Sequence, residues 1–335
     1  MKALLSLLLV LGLSACADDV VLPPARPLQA NAEQLATIPN LERGSVEVIK
    51  GAALNWRVGD RELRLRVVAP RGDGPFPLVI FSHGNWSDID KYDALLEHWA
   101  SHGYLIVAPY HADGGGMARG IFNSLRKGNE GLIAARVDDV RLILDHLAEL
   151  DAIEPGLSRR IDGTRIAVAG HSFGAFTAQQ FVGAETVDPD SGVRIGGRDP
   201  RVRAAVAISP PGPMFGLIND QSWVGVDRPM LVTTGTWDVN AHFWPDWRSH
   251  LLSYETAKPG LNWALVVDGA DHYLGNLICR PERKEPPQTD ALRLVNATVV
   301  GFLDAFVRED AAARSALDAP ELGTLTGGFA VLSHR

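Results

Sequence analysis

The chain has 335 residues, 46% of them hydrophobic, and a formal net charge of −8 at pH 7. A chain of this length and apolar content can bury a full core, which excludes extensive disorder. The acidic composition includes no long basic run, so the sequence predicts no nucleic-acid partner.

The first 16 residues have the layout of an export signal, with one lysine, a short leucine-rich stretch and then small residues. The stretch is too short to span a membrane comfortably. Its end, from Leu13 to Cys16, resembles the lipobox of bacterial lipoproteins. That resemblance implies a lipid on Cys16 and a place in the bacterial cell envelope, with membrane contact through this anchor only. An ordinary cleaved signal is the alternative.

Residues 17–40 are proline-rich and aperiodic, which is typical of a flexible tether. We expect residues 41–335 to form a single domain. The chain has two cysteines, so acylation of Cys16 would leave Cys279 unpaired, and no disulfide framework follows.

Two kinds of strand are predicted in chain order. Alternation of apolar and polar residues predicts antiparallel strands with one solvated face at 45–50, 54–58 and 63–70. Continuously apolar, β-branched segments are typical of parallel strands buried on both faces. These segments span residues 77–84, 104–110, 164–170, 203–209, 229–235 and 262–269.

Helical patterns separate or follow these strands at 90–103, 132–150, 173–184, 244–257 and 290–310. In the second of them, apolar residues recur at helical spacing on one face, at Val137, Val140, Leu144 and Leu147. The alternation predicts an α/β fold with a mostly parallel sheet, opened by antiparallel strands and covered by helices on both faces. In such a sheet the functional site lies beyond the carboxyl ends of the strands.

The segment 170–174, Gly-His-Ser-Phe-Gly, joins a predicted strand to a predicted helix. It fits the G-x-S-x-G nucleophile elbow, a tight turn that presents its serine above the sheet. Gly170 and Gly174 are expected where a side chain would collide with the neighbouring strand or helix. The pattern predicts that Ser172 is a nucleophile.

A serine hydroxyl needs a base to take its proton, and a carboxylate must orient that base. In elbow proteins the acid and then the base follow the serine along the chain. Asp238 follows the strand 229–235, and His272 follows the strand 262–269. We therefore expect both at the sheet edge that holds Ser172.

A developing oxyanion needs two N–H donors near it. One is expected from Phe173, the residue after the nucleophile. The other is expected from the backbone of Asn85, in the loop where His83 and Gly84 end an early strand.

These residues resemble the α/β-hydrolase superfamily from about residue 44 to about residue 310. The segments FSHGN, GHSFGAFTAQQ, TGTWD and GADHYLG are most similar to serine esterases related to dienelactone hydrolase and platelet-activating-factor acetylhydrolase. The resemblance implies hydrolysis of short or medium acyl esters without a cofactor, by Ser172, Asp238 and His272 with Asn85 and Phe173 as oxyanion donors. True dienelactone hydrolases have a cysteine where this chain has Ser172, so that particular substrate is not expected.

Five further residues lie near predicted strand ends and are candidates for the cleft wall. They are His83, Trp86, His111, His171 and Trp237. His171 is also expected to support the elbow. The glycine-rich segment 111–127 predicts a mobile flap or a substrate-selecting loop over the site.

No metal site is predicted. His98 and His102 stand four residues apart on a helix, but the glutamate of a zinc motif and a third ligand are absent, which favours a solvated helix face.

The sequence leaves alternatives open for the activity of the protein. The same catalytic groups would serve an amidase, a lactonase or an acyltransferase, and a catalytically silent envelope protein that binds a ligand is an alternative of another class. The expected partner is a small-molecule ester, and the oligomeric state is open.

Overall fold

The computed structural model describes residues 22–188, 191–318 and 321–335. Cys16 and the predicted export signal lie outside these ranges. The strands are β1 (Val48–Lys50), β2 (Leu54–Val58), β3 (Arg61–Pro70), β4 (Phe76–Ser82), β5 (Leu105–Pro109), β6 (Ile161–His171), β7 (Glu185–Val187), β8 (Arg194–Gly196), β9 (Val202–Ile208), β10 (Met230–Gly235), β11 (Asn262–Val267) and β12 (Ala330–His334).

The α-helices are α1 (Ala32–Ala36), α2 (Asp93–Ser101), α3 (Met117–Asp145), α4 (Phe173–Gln180), α5 (Leu252–Thr256), α6 (Thr289–Phe306), α7 (Ala311–Asp318) and α8 (Glu321–Leu325). Short 3₁₀ helices span Ile89–Lys91, Ala148–Ala152, Ser158–Arg160, Asp220–Trp223 and Trp247–Leu251. Of the helices in the described ranges, none combines the length and the apolar character that crossing a membrane requires.

The central sheet has the strand order β1-β3-β5-β4-β6-β9-β10-β11-β12, with β2 also paired to β3. The six strands from β5 to β11 in this order are parallel. Strands β1, β2 and β3 open the sheet in antiparallel pairing, which confirms the predicted α/β fold. The antiparallel strand β12 closes the other edge and was not predicted from the sequence.

Each face of the sheet packs against its own pair of helices. Along β4, Val79 and Phe81 join the cluster under α2 and α6, whereas Leu78 and Ile80 join the cluster under α3 and α4. This alternation follows from the pleat of a strand, which turns successive side chains to opposite faces. Both faces are apolar because helices cover both.

The described part of the predicted tether, residues 22–40, lies against the domain. The N–H of Arg26 donates to Asp268 at 3.0 Å, the N–H of Gln29 donates to the carbonyl of Thr326 at 3.4 Å, and Ile38 is buried in the core. Isolated contacts, and not a continuous helix or strand, hold most of this segment. Its sequence therefore shows no helical or strand periodicity. Contacts with the domain thus begin before residue 41.

The segment 111–127, predicted as a flap, contains the first turns of α3. Gly128 has φ 71° and ψ 170°, values outside the helical region, so it breaks α3 into two parts. The part before the break presents Phe122, which is 66% exposed, and the part after it packs on the sheet. The region is therefore a helical arm that follows a glycine turn.

Candidate active site

Ser172 occupies a strained turn between β6 and α4. Its backbone has φ 56° and ψ −124°, a conformation that costs free energy for a residue with a side chain. A Cβ at Gly170 would lie 2.2 Å from the carbonyl oxygen of Gly174, and a Cβ at Gly174 would lie 2.0 Å from the carbonyl oxygen of Ser82. Both glycines are therefore required by close backbone approach.

Asp238 and His272 form a hydrogen-bonded pair after neighbouring parallel strands. Asp238 lies three residues beyond β10, His272 lies five beyond β11, and Nδ1 of His272 is 2.7 Å from Oδ1 of Asp238. A carboxylate can only accept, so Nδ1 donates the hydrogen, and in the neutral ring the lone pair is on Nε2. This is the tautomer that a general base needs.

Asp238 is buried at 1% exposure and is nevertheless ionised. Burial alone would raise the pKa of its carboxyl, but the imidazoles of His250 and His272 hold the pKa well below its usual range. The hydroxyl of Thr234, on β10, donates to its second oxygen at 3.0 Å. Two hydrogen-bond donors, His272 and Thr234, thus fix the orientation of the carboxylate.

His171, the neighbour of Ser172, joins the elbow to the loop of His272. Its Nε2 lies 2.8 Å from the carbonyl oxygen of His272, and the two ring centroids are 4.8 Å apart. Strands β6, β10 and β11 run parallel, so their carboxyl ends meet at one edge of the sheet. The structure therefore places Ser172 at the same edge as the His272–Asp238 pair.

A tyrosine hydroxyl links His171 to the predicted oxyanion loop. Oη of Tyr92 accepts from the N–H of Gly84 at 2.9 Å and donates to Nδ1 of His171 at 3.0 Å. Burial lowers the pKa of His171 to about 4, so the imidazole is neutral, as these two contacts require. The buried thiol of Cys279 also borders Gly84, 3.4 Å from the position of a Cβ there.

The two predicted oxyanion donors lie on either side of the Gly174–Ser82 contact. Phe173 opens α4, and N–H groups in the first turn of a helix have no acceptor within that helix. Within the described ranges, the N–H of Asn85 donates to no protein acceptor. The role of these two N–H groups as oxyanion donors stays a prediction.

A buried arginine contacts both segments that are predicted to hold the oxyanion donors. Arg136, on α3, is 1% exposed and donates to the carbonyl of His83 at 2.6 Å and to the hydroxyl of Ser82 at 3.1 Å. Its guanidinium also stacks on the ring of Phe173, with the central carbon 4.9 Å from the ring centroid. Asp113 neutralises it through two hydrogen bonds of 2.6 and 3.1 Å.

Three residues predicted to line the cleft are buried instead. His83, His111 and His171 are between 0% and 3% exposed, because each uses its ring nitrogens within the protein. His83 bonds to the carbonyl of Gly84 and accepts from the N–H of His111. Burial lowers the pKa of His83 to about 3 and holds the pKa of His111 well below its usual range, so both rings are neutral.

His111 also connects Ser82 to a buried acid on α3. Its Nε2 lies 2.9 Å from Oγ of Ser82, and its Nδ1 lies 2.9 Å from Oδ2 of Asp139. Burial raises the pKa of Asp139 to about 7. These contacts hold the end of β4, and with it the loop that follows, in place.

The two tryptophans of the predicted cleft wall are half-buried at the rim. Nε1 of Trp86 donates to Ser124 on the helical arm at 3.2 Å, and Nε1 of Trp237 donates to the carbonyl of Pro23 at 2.7 Å. Trp237 also borders a surface cavity of about 390 Å³, shared with Arg26 and Asp268. Their part in substrate contact stays a prediction.

The histidines considered for zinc do not present a free ligand pair. His98 is 5% exposed rather than solvated, and its Nε2 bonds to the carbonyl of Asn40 at 2.9 Å. Nε2 of His102 bonds to the carbonyl of Glu42 at 2.9 Å. Both residues therefore fasten the start of the domain to α2.

Sequence reasoning missed His250, which contacts the acid of the site. Within the described residues, Asp238, His250 and His272 place potential metal-ligand atoms within 4.8 Å of one another. Both imidazoles already face one oxygen of Asp238 at 3.0 Å or less, so a metal ion would have to displace the protons between them. The contacts are those of a proton-handling cluster.

The parallel sheet, the strained serine turn and the acid and base at strand ends define the α/β-hydrolase fold. A family described as "Chlorophyllase" matches residues 55–184. Among curated proteins, "Chlorophyllase-1" of Arabidopsis thaliana is 29% identical over 127 residues, which are 37% of this chain and 35% of that protein. "Chlorophyllase-1, chloroplastic" of Citrus sinensis is 40% identical over 45 residues, which are 13% of this chain and 14% of that protein.

The matched family is a serine-hydrolase-like α/β-hydrolase family, and the similarity to it is at low identity. The chain spans about a third or less of the length of these curated relatives. The matched family region contains Asn85, Ser172 and Phe173 but ends before Asp238 and His272. The narrower resemblance to dienelactone-hydrolase-related esterases is not shown and stays a prediction.

The close approach at Gly174 predicts a large loss of stability on substitution. Gly174→Ala would force a methyl group into the carbonyl of Ser82, so we expect the free energy of unfolding to fall by at least about 3 kcal/mol. Urea unfolding followed by circular dichroism measures the change. The matched control is Gly301→Ala on α6. Beyond its chain neighbours and its own helical turns, no atom of the described residues lies within 4 Å of the new Cβ, and a gain of up to about 1 kcal/mol is expected. Equal stabilities for the two variants would contradict this packing.

The buried Arg136–Asp113 pair predicts non-additive mutations. Arg136→Met leaves a buried carboxylate without its partner, and we expect a loss of about 3 to 5 kcal/mol in urea unfolding. The double variant Arg136→Met/Asp113→Leu removes both charges and should recover at least half of that loss. A double variant as unstable as the single one would show that the charge pair is not the cause.

Proposed function

We propose that this protein is a serine hydrolase that cleaves carboxylic esters through an acyl-enzyme on Ser172. One observation carries the proposal: the strained turn of Ser172 lies at the sheet edge where Asp238 holds His272 as the Nδ1–H tautomer. Similarity to chlorophyllases over the nucleophile region supports the hydrolase class.

In the proposed reaction, Oγ of Ser172 attacks the ester carbonyl while Nε2 of His272 accepts its proton. The resulting imidazolium is stabilised by Asp238, which stays ionised throughout. His272 then protonates the leaving alcohol, and the acyl group remains on Ser172. Water repeats the attack with His272 again as the base, which releases the acid and regenerates the serine.

The oxyanion formed at each attack would be bound by the N–H groups of Phe173 and Asn85. Fixed donors of this kind need no reorganisation when the charge develops, and removing one costs about 100- to 1,000-fold in rate. Arg136 supports this role because it contacts both segments and its charge is balanced by Asp113. The finer preference is proposed to be for short or medium acyl esters.

The nucleophile is tested by Ser172→Ala. We expect turnover of a short p-nitrophenyl ester to fall to background and labelling by a fluorophosphonate to disappear, because both require Oγ. Folding should be retained, since alanine keeps the backbone contacts of the turn. Absorbance at the p-nitrophenolate band and gel fluorescence provide the two readouts.

The matched control is Ser315→Ala, which removes an exposed hydroxyl on α7 that bonds to the carbonyl of Ala311. It should react as the unaltered protein does. Full ester turnover by Ser172→Ala would rule out the mechanism, and failure of the unaltered protein to label would favour a silent ligand-binding protein. A panel of amide, lactone and alcohol-acceptor substrates separates the other hydrolase and transferase activities.

We also propose that the protein is exported to the bacterial envelope and anchored by a lipid on Cys16. In a bacterial host fed a clickable palmitate analogue, the full chain should be labelled and sediment with membranes. Cys16→Ser should abolish both labelling and sedimentation, whereas Cys279→Ser should retain both. Labelling of Cys16→Ser at the unaltered level would contradict the anchor.

A further inference from the structure

His250 is a buried histidine whose two ring nitrogens both face oxygen atoms. It lies in the 3₁₀ helix Trp247–Leu251 and is 1% exposed. Nδ1 is 2.6 Å from the carbonyl oxygen of Pro210. Nε2 is 3.0 Å from Oδ1 of Asp238, although its N–H makes no aligned hydrogen bond there.

Neither oxygen can donate a proton. A backbone carbonyl is only an acceptor, and Asp238 is ionised. A neutral His250 would therefore leave an unprotonated ring nitrogen within 3.0 Å of a negative or partly negative oxygen, in a buried site where water does not weaken the repulsion. A hydrogen on both nitrogens removes that repulsion, and the ring is then an imidazolium.

We propose that His250 is a positively charged positioning residue that shares the carboxylate of Asp238 with His272. The catalytic meaning of this inference rests on the proposed function, whereas the charge itself does not. His250 is argued to act through Asp238 because its Nε2 lies 3.0 Å from Oδ1 of that residue, whereas its ring lies 5.8 Å from the ring of His272 between centroids. Its effect passes through the position and the net charge of that carboxylate.

The surroundings of His250 are consistent with a single added positive charge. The titratable groups that face it are Asp238, His272 and His171, and His171 is neutral. On its remaining side, the ring of Trp244 packs edge-on at 5.2 Å between centroids. Burial alone would lower the pKa of His250, but the charge and contact of Asp238 raise it above its usual range.

The positive charge of His250 would change the proposed reaction in one definite direction. A cation beside Asp238 cancels part of the field that would otherwise favour protonation of His272. This weakening of the negative field at His272 is present while His250 is protonated, and it is lost as the pH rises through the raised pKa of His250.

The charge state can be tested without any turnover. The full chain with Ser172→Ala, labelled with ¹⁵N-histidine, should show at pH 7 a histidine with both ring nitrogens in the protonated chemical-shift range. That signal should disappear in Ser172→Ala/His250→Gln. A spectrum in which His250 is a neutral tautomer at pH 7 would overturn the proposal.

The effect on the reaction is tested by the pH dependence of kcat/KM for the p-nitrophenyl ester. His250→Gln retains an N–H donor toward Asp238 but removes the charge, so we expect the acidic limb to move to higher pH by about one unit. Rates below that limb should fall about tenfold. A structural role alone would lower the rate at all pH values without moving the limb.

The matched control is His334→Gln, an exposed histidine paired with Trp263 at the amino end of β11, away from the site. Its acidic limb should stay in place. An unaltered limb in His250→Gln, with an active parent enzyme, would overturn the inference and leave the proposed function intact. An inactive parent enzyme would instead contradict the proposed function, and the NMR result would still decide the charge of His250.

Discussion

The contact between Gly174 and the carbonyl of Ser82 is the constraint on which the site depends. With only 2.0 Å between that oxygen and the position of a Cβ, the first turn of α4 rests directly on the end of β4. This contact joins the two segments that hold the proposed oxyanion donors, Phe173 and Asn85. Ser172, two residues before Gly174, has the positive φ of a strained turn. Contact of backbone with backbone is stiff, so it limits the movement of this turn relative to the end of β4.

Buried histidines extend this stiff arrangement across the site. His83, His111 and His171 are neutral because burial disfavours their charged form, and a neutral imidazole offers one donor and one acceptor in fixed directions. His171 uses both to join Tyr92 to the loop of His272. Through their hydrogen bonds, these rings hold the loops around the site at fixed distances from one another. Their dense packing near the nucleophile is structural, although histidines beside a predicted serine nucleophile suggest a chemical role at first sight.

The sequence predicted those parts of the fold and site that depend on local pattern. Apolar runs predicted the parallel strands, and the rule that functional residues follow strand ends placed Ser172, Asp238 and His272 at one edge of the sheet. Arg136 and His250 were beyond this reasoning because neither follows a strand directly. Arg136 lies on a helix whose polar residues are normally solvated, and its burial depends on Asp113, 23 residues earlier. A basic residue on the apolar side of the 132–150 pattern was the available signal. His250 lies in a short 3₁₀ helix, and no periodicity relates it to the acid it contacts.

Four buried groups near Ser172 and His272 can carry charge: Arg136, Asp113, Asp238 and His250. Their charges are balanced in different ways. Arg136 is balanced by Asp113 beneath the oxyanion loop, so its positive charge fixes geometry with little net field at the donors. Asp238 has two imidazole neighbours, and only one of them is exposed enough to exchange a proton with a substrate, since His272 is 17% exposed at its side chain and His250 is 1% exposed. His250 and His272 have the same side chain and contact the same oxygen of Asp238, but their different burial gives them different roles. The buried ring keeps its proton between two acceptors, and the exposed ring has one nitrogen free. In the proposed reaction, an acid with a protonated buried partner would orient His272 while exerting a weaker pull on the proton that His272 returns to the leaving group.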